Sequence, residues 1–370
     1  MDAMSRGVTI LGAGKIGWAI ALLLKQHGAG YAVRVADQNP ARLAALADLG
    51  CETVQVDVAD ESSLAAALQG GWAVLNALPF SQAVRVARLA ASLGVHYFDL
   101  TEDVHSTQAI RQLAQGARSV LMPQCGLAPG FIGVVGNDLA HGFDPLLDLH
   151  LRVGALPRFP TGALRYNLTW STEGLINQCI QPCEALVEGR LVEIPALEGL
   201  ETFALDGVSY EAFNTSGGLG TLTHTLVGRA RNVDYKAVRY PGHCAILRLL
   251  VNELRLRERP DLLKDILETA VPATEQDVVV ICASAHGRRD GRLLQQSYSA
   301  RILGAEVGGH RLSAIQLTTA SAICTALDLV SAGLLPQTGF VAQEQMALAD
   351  FLANRFGSVF ESGSLEWVQA

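Results

Sequence analysis

The chain has 370 residues, 49% of them hydrophobic and 17% charged, with a formal net charge of −8. That length suits two domains and a large core that needs neither disulfides nor a structural metal. The acidic balance argues against nucleic acid or an anionic membrane as the main partner, and the N-terminal MDAMSRGVTIL has no apolar signal core.

The first 125 residues alternate short apolar runs with amphipathic stretches. Residues 8–11, 32–36, 54–56, 73–75, 96–99 and 120–122 read as strands; 16–26, 40–49, 61–68, 82–93 and 106–115 read as helices. In the first helix Ile16, Ala19, Ile20, Leu23 and Leu24 form one apolar stripe at i, i+3, i+4, i+7 and i+8 spacing. Strand–helix alternation with short links predicts an α/β fold, a doubly wound parallel sheet of the Rossmann type. After Gly130 the pattern changes. LLDLHLRVGAL, ALRYNLTW and DYKAVRY are strand-like, and DVVVICASAHGRRDGRLLQQSYSARIL reads as a hairpin turning within 287–291. Strands without intervening helices predict a second α+β domain with an antiparallel sheet. TTASAICTALDLVSAGLL carries Asp328 and several hydroxyls, so it reads as a buried helix rather than a membrane span. The expected division is a dinucleotide domain at 1–125, rejoined by helices in 313–370, and a substrate and oligomerisation domain at 126–312. The charge run LRLRERPDLLKD reads as a solvated helix face.

The seven cysteines include no CxxC pair, and no histidine accompanies Cys179 and Cys183, so a reduced, cytoplasmic protein without a metal site is expected.

VTILGAGKIGWAIALLL places Gly12, Gly14 and Gly17 in a G-x-G-x-x-G turn that follows a strand and opens a helix. Gly12 permits the tight turn, Gly14 lets the backbone approach a pyrophosphate, and Gly17 lets helix and strand pack closely. The helix N-terminus, with Lys15 and Ile16, faces the phosphates. Asp37 ends the second strand, twenty residues after Gly17. A carboxylate there accepts the ribose hydroxyls of NAD and repels the 2′-phosphate of NADP, with Arg42 nearby as a partial offset. The expected cofactor is therefore NAD. Asp57 is placed to reach the adenine side or else to cap the following helix. Asn76, with Ala77 and Leu78 behind it, ends the fourth strand; its amide either holds the cofactor ribose or shapes the turn.

ILGAGKIG, VLNALP, QCGLAPGF, LTWSTEGLINQCIQPCE, EAFNTSGGLGTL and VRYPGH together resemble the saccharopine-dehydrogenase-like NAD(P) oxidoreductases, and within them lysine 6-dehydrogenase. The resemblance runs from about residue 8 to about 330 and is most specific in the second domain. It implies oxidative deamination of the lysine ε-amine with NAD, giving an aldehyde that cyclises, and homo-oligomerisation, as a homodimer or homotetramer. DLTEDVH departs from that subfamily's pattern, which leaves the amine or diamino acid open. Imine reduction joining an amine to an aldehyde is the alternative within the fold, and a non-catalytic NAD-binding protein is the alternative outside it.

Amine oxidation needs a proton acceptor near nitrogen and a cation for the substrate carboxylate. Glu102 and Asp103 follow the fifth strand at the edge where ligands bind, as ammonium partner or base, with helix capping as the alternative. Cys125 reads as a buried thiol, since hydride transfer from an amine needs no covalent step. In the second domain Arg239 is the candidate carboxylate anchor and His243 the acid–base or amine contact; a salt bridge and a turn histidine are the structural alternatives. Glu173, at a helix start that Thr172 could cap, His224 in a threonine-rich run, and Thr215 and Ser216 beside a Gly-Gly backbone complete the substrate candidates.

Overall fold

The computed structural model describes residues 5–28 and 30–361, and the backbone of 364–369. In chain order the first elements are β1 (Arg6–Leu11), α1 (Lys15–His27), β2 (Tyr31–Asp37), α2 (Pro40–Ala47), β3 (Glu52–Gln55), α3 (Glu61–Leu68), β4 (Ala73–Asn76), α4 (Ala83–Leu93), β5 (His96–Asp99), α5 (Val104–Leu113) and β6 (Val120–Met122). Then come α6 (Phe131–His141), β7 (Leu146–Pro157), α7 (Thr172–Ile180), β8 (Cys183–Val187), β9 (Arg190–Ile194), β10 (Glu201–Leu205), β11 (Val208–Asn214), α8 (Leu222–Leu226), β12 (Ala230–Arg239), α9 (His243–Arg248) and α10 (Pro260–Ala270). The last are β13 (Asp277–Arg289), β14 (Arg292–Leu303), β15 (Ala305–Val307), β16 (His310–Leu312), α11 (Ala314–Ser331), β17 (Gly339–Phe340), α12 (Leu348–Ala353) and β18 (Ser364–Gln369).

Two compact units emerge. Of the described residues, unit 1 holds those within 1–131, 306–312 and 316–359; unit 2 holds those within 132–305, 313–315 and 360–370. The division therefore runs six residues past the expected 125, assigns 306–312 to the dinucleotide unit, and gives the chain's last residues to unit 2 instead.

In unit 1 the strand order is β3-β2-β1-β4-β5-β6-β17, with every pair parallel. The first six positions are the doubly wound dinucleotide order, whose direction reverses between β1 and β4. Parallel strands covered on both faces read as continuous apolar runs, and Val8, Ile10 and Leu11 are all buried. Short polar side chains start the helices: Asn39 accepts from Ala41 N and Asp60 from Ser62 N. Gly94 closes α4 in the left-handed region. Helix α5 begins two residues earlier than the apolar pattern implied, because Asp103 caps it. The seventh strand, β17, is two residues long, too short to show a period of two.

The sheet of unit 2 runs β10-β11-β12-β7-β13-β14-β18, with β8 and β9 attached through β12. It is mixed rather than antiparallel, because β12 pairs with β7 in parallel. The chain between them makes an excursion through α7 and four strands, and so re-enters the sheet in its original direction. The expected hairpin is present as β13 and β14, with Arg289 opposite Arg292 at its turn; on its other side β13 pairs with β7, with a bulge at His286/Gly287. ALRYNLTW forms no strand; it is irregular apart from a bridge between Leu168 and Ala273. Its Tyr166 packs with Leu175, Phe213 and Leu247 in a buried cluster, so burial without backbone pairing produced the strand-like pattern. Helix α11 is long and apolar enough to cross a membrane, but most of it is buried inside the protein.

Candidate functional site

At the end of β1, Gly12 has φ +98°, and a Cβ there would stand 3.0 Å from the Ala77 carbonyl oxygen. A Cβ on Gly17 would collide with the Gly12 carbonyl. The turn and the first coil of α1 thus have a shape that only glycines allow. Gly14 sits at the N-cap of α1, and nothing lies within 4 Å of where its Cβ would be. That open cradle, below a helix start bearing Lys15 and Ile16, fits a pyrophosphate. Ala77 N donates to Leu11 O (2.8 Å), and the Leu78 side chain packs beside Gly12, so residues 77–78 and the glycine turn form one wall.

Asp37 is 7% exposed. Its Oδ2 accepts from Ala13 N (2.6 Å) and its Oδ1 from Asn39 N (2.7 Å). Each oxygen keeps a second lone pair for a ribose hydroxyl, so the carboxylate braces the glycine turn and can still receive a ligand. Arg42 is exposed on α2. Asp57 is exposed and accepts from Ala59 N within its own turn (2.9 Å); the capping of α3 falls to Asp60. Asn76 is buried, its Oδ1 taken by Leu78 N (3.2 Å) and its Nδ2 donating to Tyr97 Oη (3.2 Å).

Beyond β5, Asp103 Oδ1 accepts from Ser106 N (2.7 Å) as the N-cap of α5, and Glu102 is half-buried. Asp99, which begins this run, is 1% exposed and accepts from Tyr97 Oη, Thr101 N and Gln124 N. Burial pushes its carboxyl up to about 6, against the pull of those three donors. The buried Cys125 thiol lies against Met122 O and Gln343 Nε2. Burial, then the Asp99 charge, push it well above the ordinary thiol range, which leaves it unreactive.

In unit 2, Arg239 ends β12 at 4% exposure. One guanidinium nitrogen donates to Val238 O (2.7 Å), Nε has no partner, and no carboxylate pairs with it among the described residues. The guanidinium lies over the Tyr166 ring at 5.2 Å. His243, fully buried at the start of α9, packs against the same ring with centroids 5.1 Å apart. Its Nδ1 is 2.9 Å from Leu164 O. A carbonyl only accepts, so Nδ1 carries the hydrogen and Nε2 presents a bare lone pair. Burial, then the Arg239 charge, hold this imidazole down to about 3. His243 Nε2, Tyr166 Oη and Thr215 Oγ1 are also buried without a protein partner.

Glu211 fixes this corner. It is buried on β11 opposite Arg239, and its two oxygens accept from Gly242 N (2.8 Å) and Cys244 N (2.6 Å), gripping the backbone on both sides of His243. The structure thus brings Arg239 and His243 together and leaves two other candidates apart. Glu173 is exposed and faces Lys264 at 3.7 Å, on a helix capped by Ser171 rather than Thr172. His224 is exposed and faces Glu184 at 3.4 Å. Ser216 Oγ donates to Pro182 O, and the space beside Gly218 is filled by the Tyr235 ring instead of lying open. Sequence reasoning missed Tyr166, assigned to a strand, and Glu211, whose signal was a carboxylate inside the apolar run of EAF.

Two family models match: "Saccharopine dehydrogenase NADP binding domain" over residues 8–121 and "Saccharopine dehydrogenase C-terminal domain" over 126–358. Among solved structures, the apo saccharopine dehydrogenase (L-Glu forming) of Saccharomyces cerevisiae superposes with a TM-score of 0.80 at 16% identity, covering 98% of this chain and 100% of that one. A myo-inositol dehydrogenase of Corynebacterium glutamicum covers 98% of each chain at 12% identity, with a TM-score of 0.45.

Proposed function

Because the chain belongs to the saccharopine dehydrogenase family of NAD(P) oxidoreductases, we propose that it uses NAD to oxidise the terminal amine of L-lysine or a close diamino acid. The observation that carries this reading is the buried Arg239 guanidinium with no carboxylate partner. A desolvated, unpaired cation is costly, and a substrate carboxylate would supply its counter-charge through bidentate hydrogen bonds.

The reaction converts an ammonium, NAD and water to an aldehyde, ammonium ion, NADH and a proton. NAD, with its pyrophosphate at the glycine turn, would supply the hydride acceptor for the carbon that bears nitrogen. Lys15, Ile16 and the open backbone at Gly14 would hold the pyrophosphate, and Asp37 the adenosine ribose, with its charge set against a 2′-phosphate. On this reading the cofactor is NAD, not NADP. Neutral His243 offers Nε2 to an N–H of the substrate. A base held near 3 is a poor sink for a proton from an amine of pKa ~10.4, so His243 orients rather than deprotonates. We assign the ammonium contact to Glu102 and the second oxygen of Asp103 and the proton to water, with turnover rising toward alkaline pH. The family reading also carries a homodimer or homotetramer, and the unpaired cysteines a cytoplasmic location, which sedimentation and fractionation would test.

Imine reduction joining an amine to a keto or aldehyde acid is a second reading, supported by the same family membership. Its product would carry more carboxylates than one, whereas unit 2 buries one guanidinium without a counter-ion among the described residues. Arg152 and Lys236 both share Glu201.

The test is NADH formation from lysine, ornithine, simple diamines and neutral amino acids at about pH 9–10, near the amine pKa. Turnover of lysine or a close homologue supports the proposal. NAD(P)H consumption with amine plus aldehyde, and no oxidation, would replace it with the second reading. Tight NAD binding with neither reaction would make the chain a non-catalytic binder.

A further inference from the structure

Three loops leave the carboxyl ends of β4, β5 and β6, and one buried carboxyl group joins them. Asp99 Oδ1 accepts from Thr101 N (3.0 Å) in the β5 loop and from Gln124 N (2.9 Å) in the β6 loop. Its Oδ2 accepts from Tyr97 Oη (2.6 Å), and that phenol in turn accepts from Asn76 Nδ2 (3.2 Å) at the end of β4. Asn76 Oδ1 then holds Leu78 N, in the wall beside Gly12. Gln124 is held in the left-handed region at φ 67°, a conformation that costs a non-glycine residue energy, while Cys125 N donates to Asp99 O (2.7 Å). The remaining titratable group against Asp99 is the neutral Cys125 thiol, and no cation pairs with the carboxyl group among the described residues. A buried carboxyl group without a cationic partner is an expensive way to make a structural tie.

In a doubly wound sheet β1–β3 and β4–β6 each serve one mononucleotide half of the cofactor. We infer that Asp99 is a positioning residue for the nicotinamide half, acting by locking the β4, β5 and β6 loops to one another through Tyr97 and Asn76. This rests on reading unit 1 as a dinucleotide site, and two probes separate the failure of each. ADP-ribose fills only the adenosine and pyrophosphate positions served by β1–β3 and α1; NADH fills both halves.

The experiment measures dissociation constants for ADP-ribose and NADH with the full-length wild type, Asp99→Ala, Asp99→Asn and Tyr97→Phe. Asp99→Ala should weaken NADH about tenfold, the loss of roughly one charge-assisted hydrogen bond, and leave ADP-ribose unchanged. Asn can accept from both amides and donate to Tyr97 Oη, with the phenol turning to Ala83 O at 3.1 Å, so Asp99→Asn should restore most of the NADH affinity. Tyr97→Phe removes the hydroxyl's bonds to Asp99, Asn76 and Ala83 O but leaves Asp99 its two amide donors; it should weaken NADH severalfold and spare ADP-ribose even if Asp99→Ala does not fold. Equal losses for both probes, or no loss of NADH affinity in Asp99→Ala and Tyr97→Phe, would overturn the inference. Absence of ADP-ribose binding to the wild type would overturn the dinucleotide reading and the inference with it.

Discussion

At the residue scale the decisive side chains are buried polar groups whose protein partners leave a valence over. Asp37 braces Ala13 and Asn39 and still has lone pairs for a ligand. Asp37→Ala should weaken NAD by about tenfold or more while changing NADP far less, because the loss of ribose contacts is offset there by the loss of repulsion; titration of both cofactors checks it. Arg239→Lys keeps the charge but loses the planar fork. It should raise KM for the amino acid about tenfold and leave NAD affinity unchanged, as steady-state kinetics and direct cofactor binding would show. Asp37 was legible because its position relative to the glycine turn is fixed by a motif. The pairing of Arg239 with His243 was legible only as a suspicion, since both flank one short turn. The Tyr166 ring that joins them lies more than seventy positions earlier, and nothing local marks it.

At the element scale the sequence was readable where one element's own period or cap decides its form. The strands and helices of unit 1 follow from apolar runs and from Asn39, Asp60 and Asp103 at helix starts. It was not readable where distant segments decide. The parallel register of β12 on β7 depends on what the intervening strands do, and Tyr166 is buried by α7, β11 and α9 side chains in a segment with almost no pairing. Glu211 shows the same limit, because its role as clamp on residues 242 and 244 exists only once β11 and β12 are paired. Glu211→Ala strands two amides and should cost about 2–4 kcal/mol of stability; Glu211→Gln, which keeps one acceptor, should cost roughly half as much. Urea unfolding of both variants is the measurement, with equal losses counting against the clamp.

At the scale of the whole molecule, the two units respond to acid in opposite directions through two buried groups that titrate on the acid side, His243 and Asp99. His243 in unit 2 is held down to about 3, from 6.5. Between those values the unfolded chain binds a proton that the folded chain refuses, so its contribution falls as pH drops through that window. Asp99 in unit 1 is pushed up to about 6, from 3.8. There the folded chain binds the extra proton, so its contribution falls as pH rises from 3.8 through 6. His243→Asn, which keeps a donor for Leu164 O, should flatten the acid-side loss of Tm. Asp99→Asn should raise Tm at about pH 7 relative to its effect at about pH 4. Thermal unfolding across that range reads both slopes, and changes of the same sign would contradict the assignment.

The seventh strand of unit 1 also has a bearing on how the protein is made. β17 pairs with β6, yet the chain of unit 2 from residue 132 to 305 is synthesised between them. Translation at roughly 5–20 residues per second leaves a wait of about ten to forty seconds before Gly339 emerges. Throughout that wait the backbone of Val120–Met122 is an unguarded sheet edge on the nascent chain, the kind of edge that recruits foreign strands. The finished molecule hides this hazard, so mutations that slow the completion of unit 2 should lower the yield of soluble protein without lowering the stability of what survives.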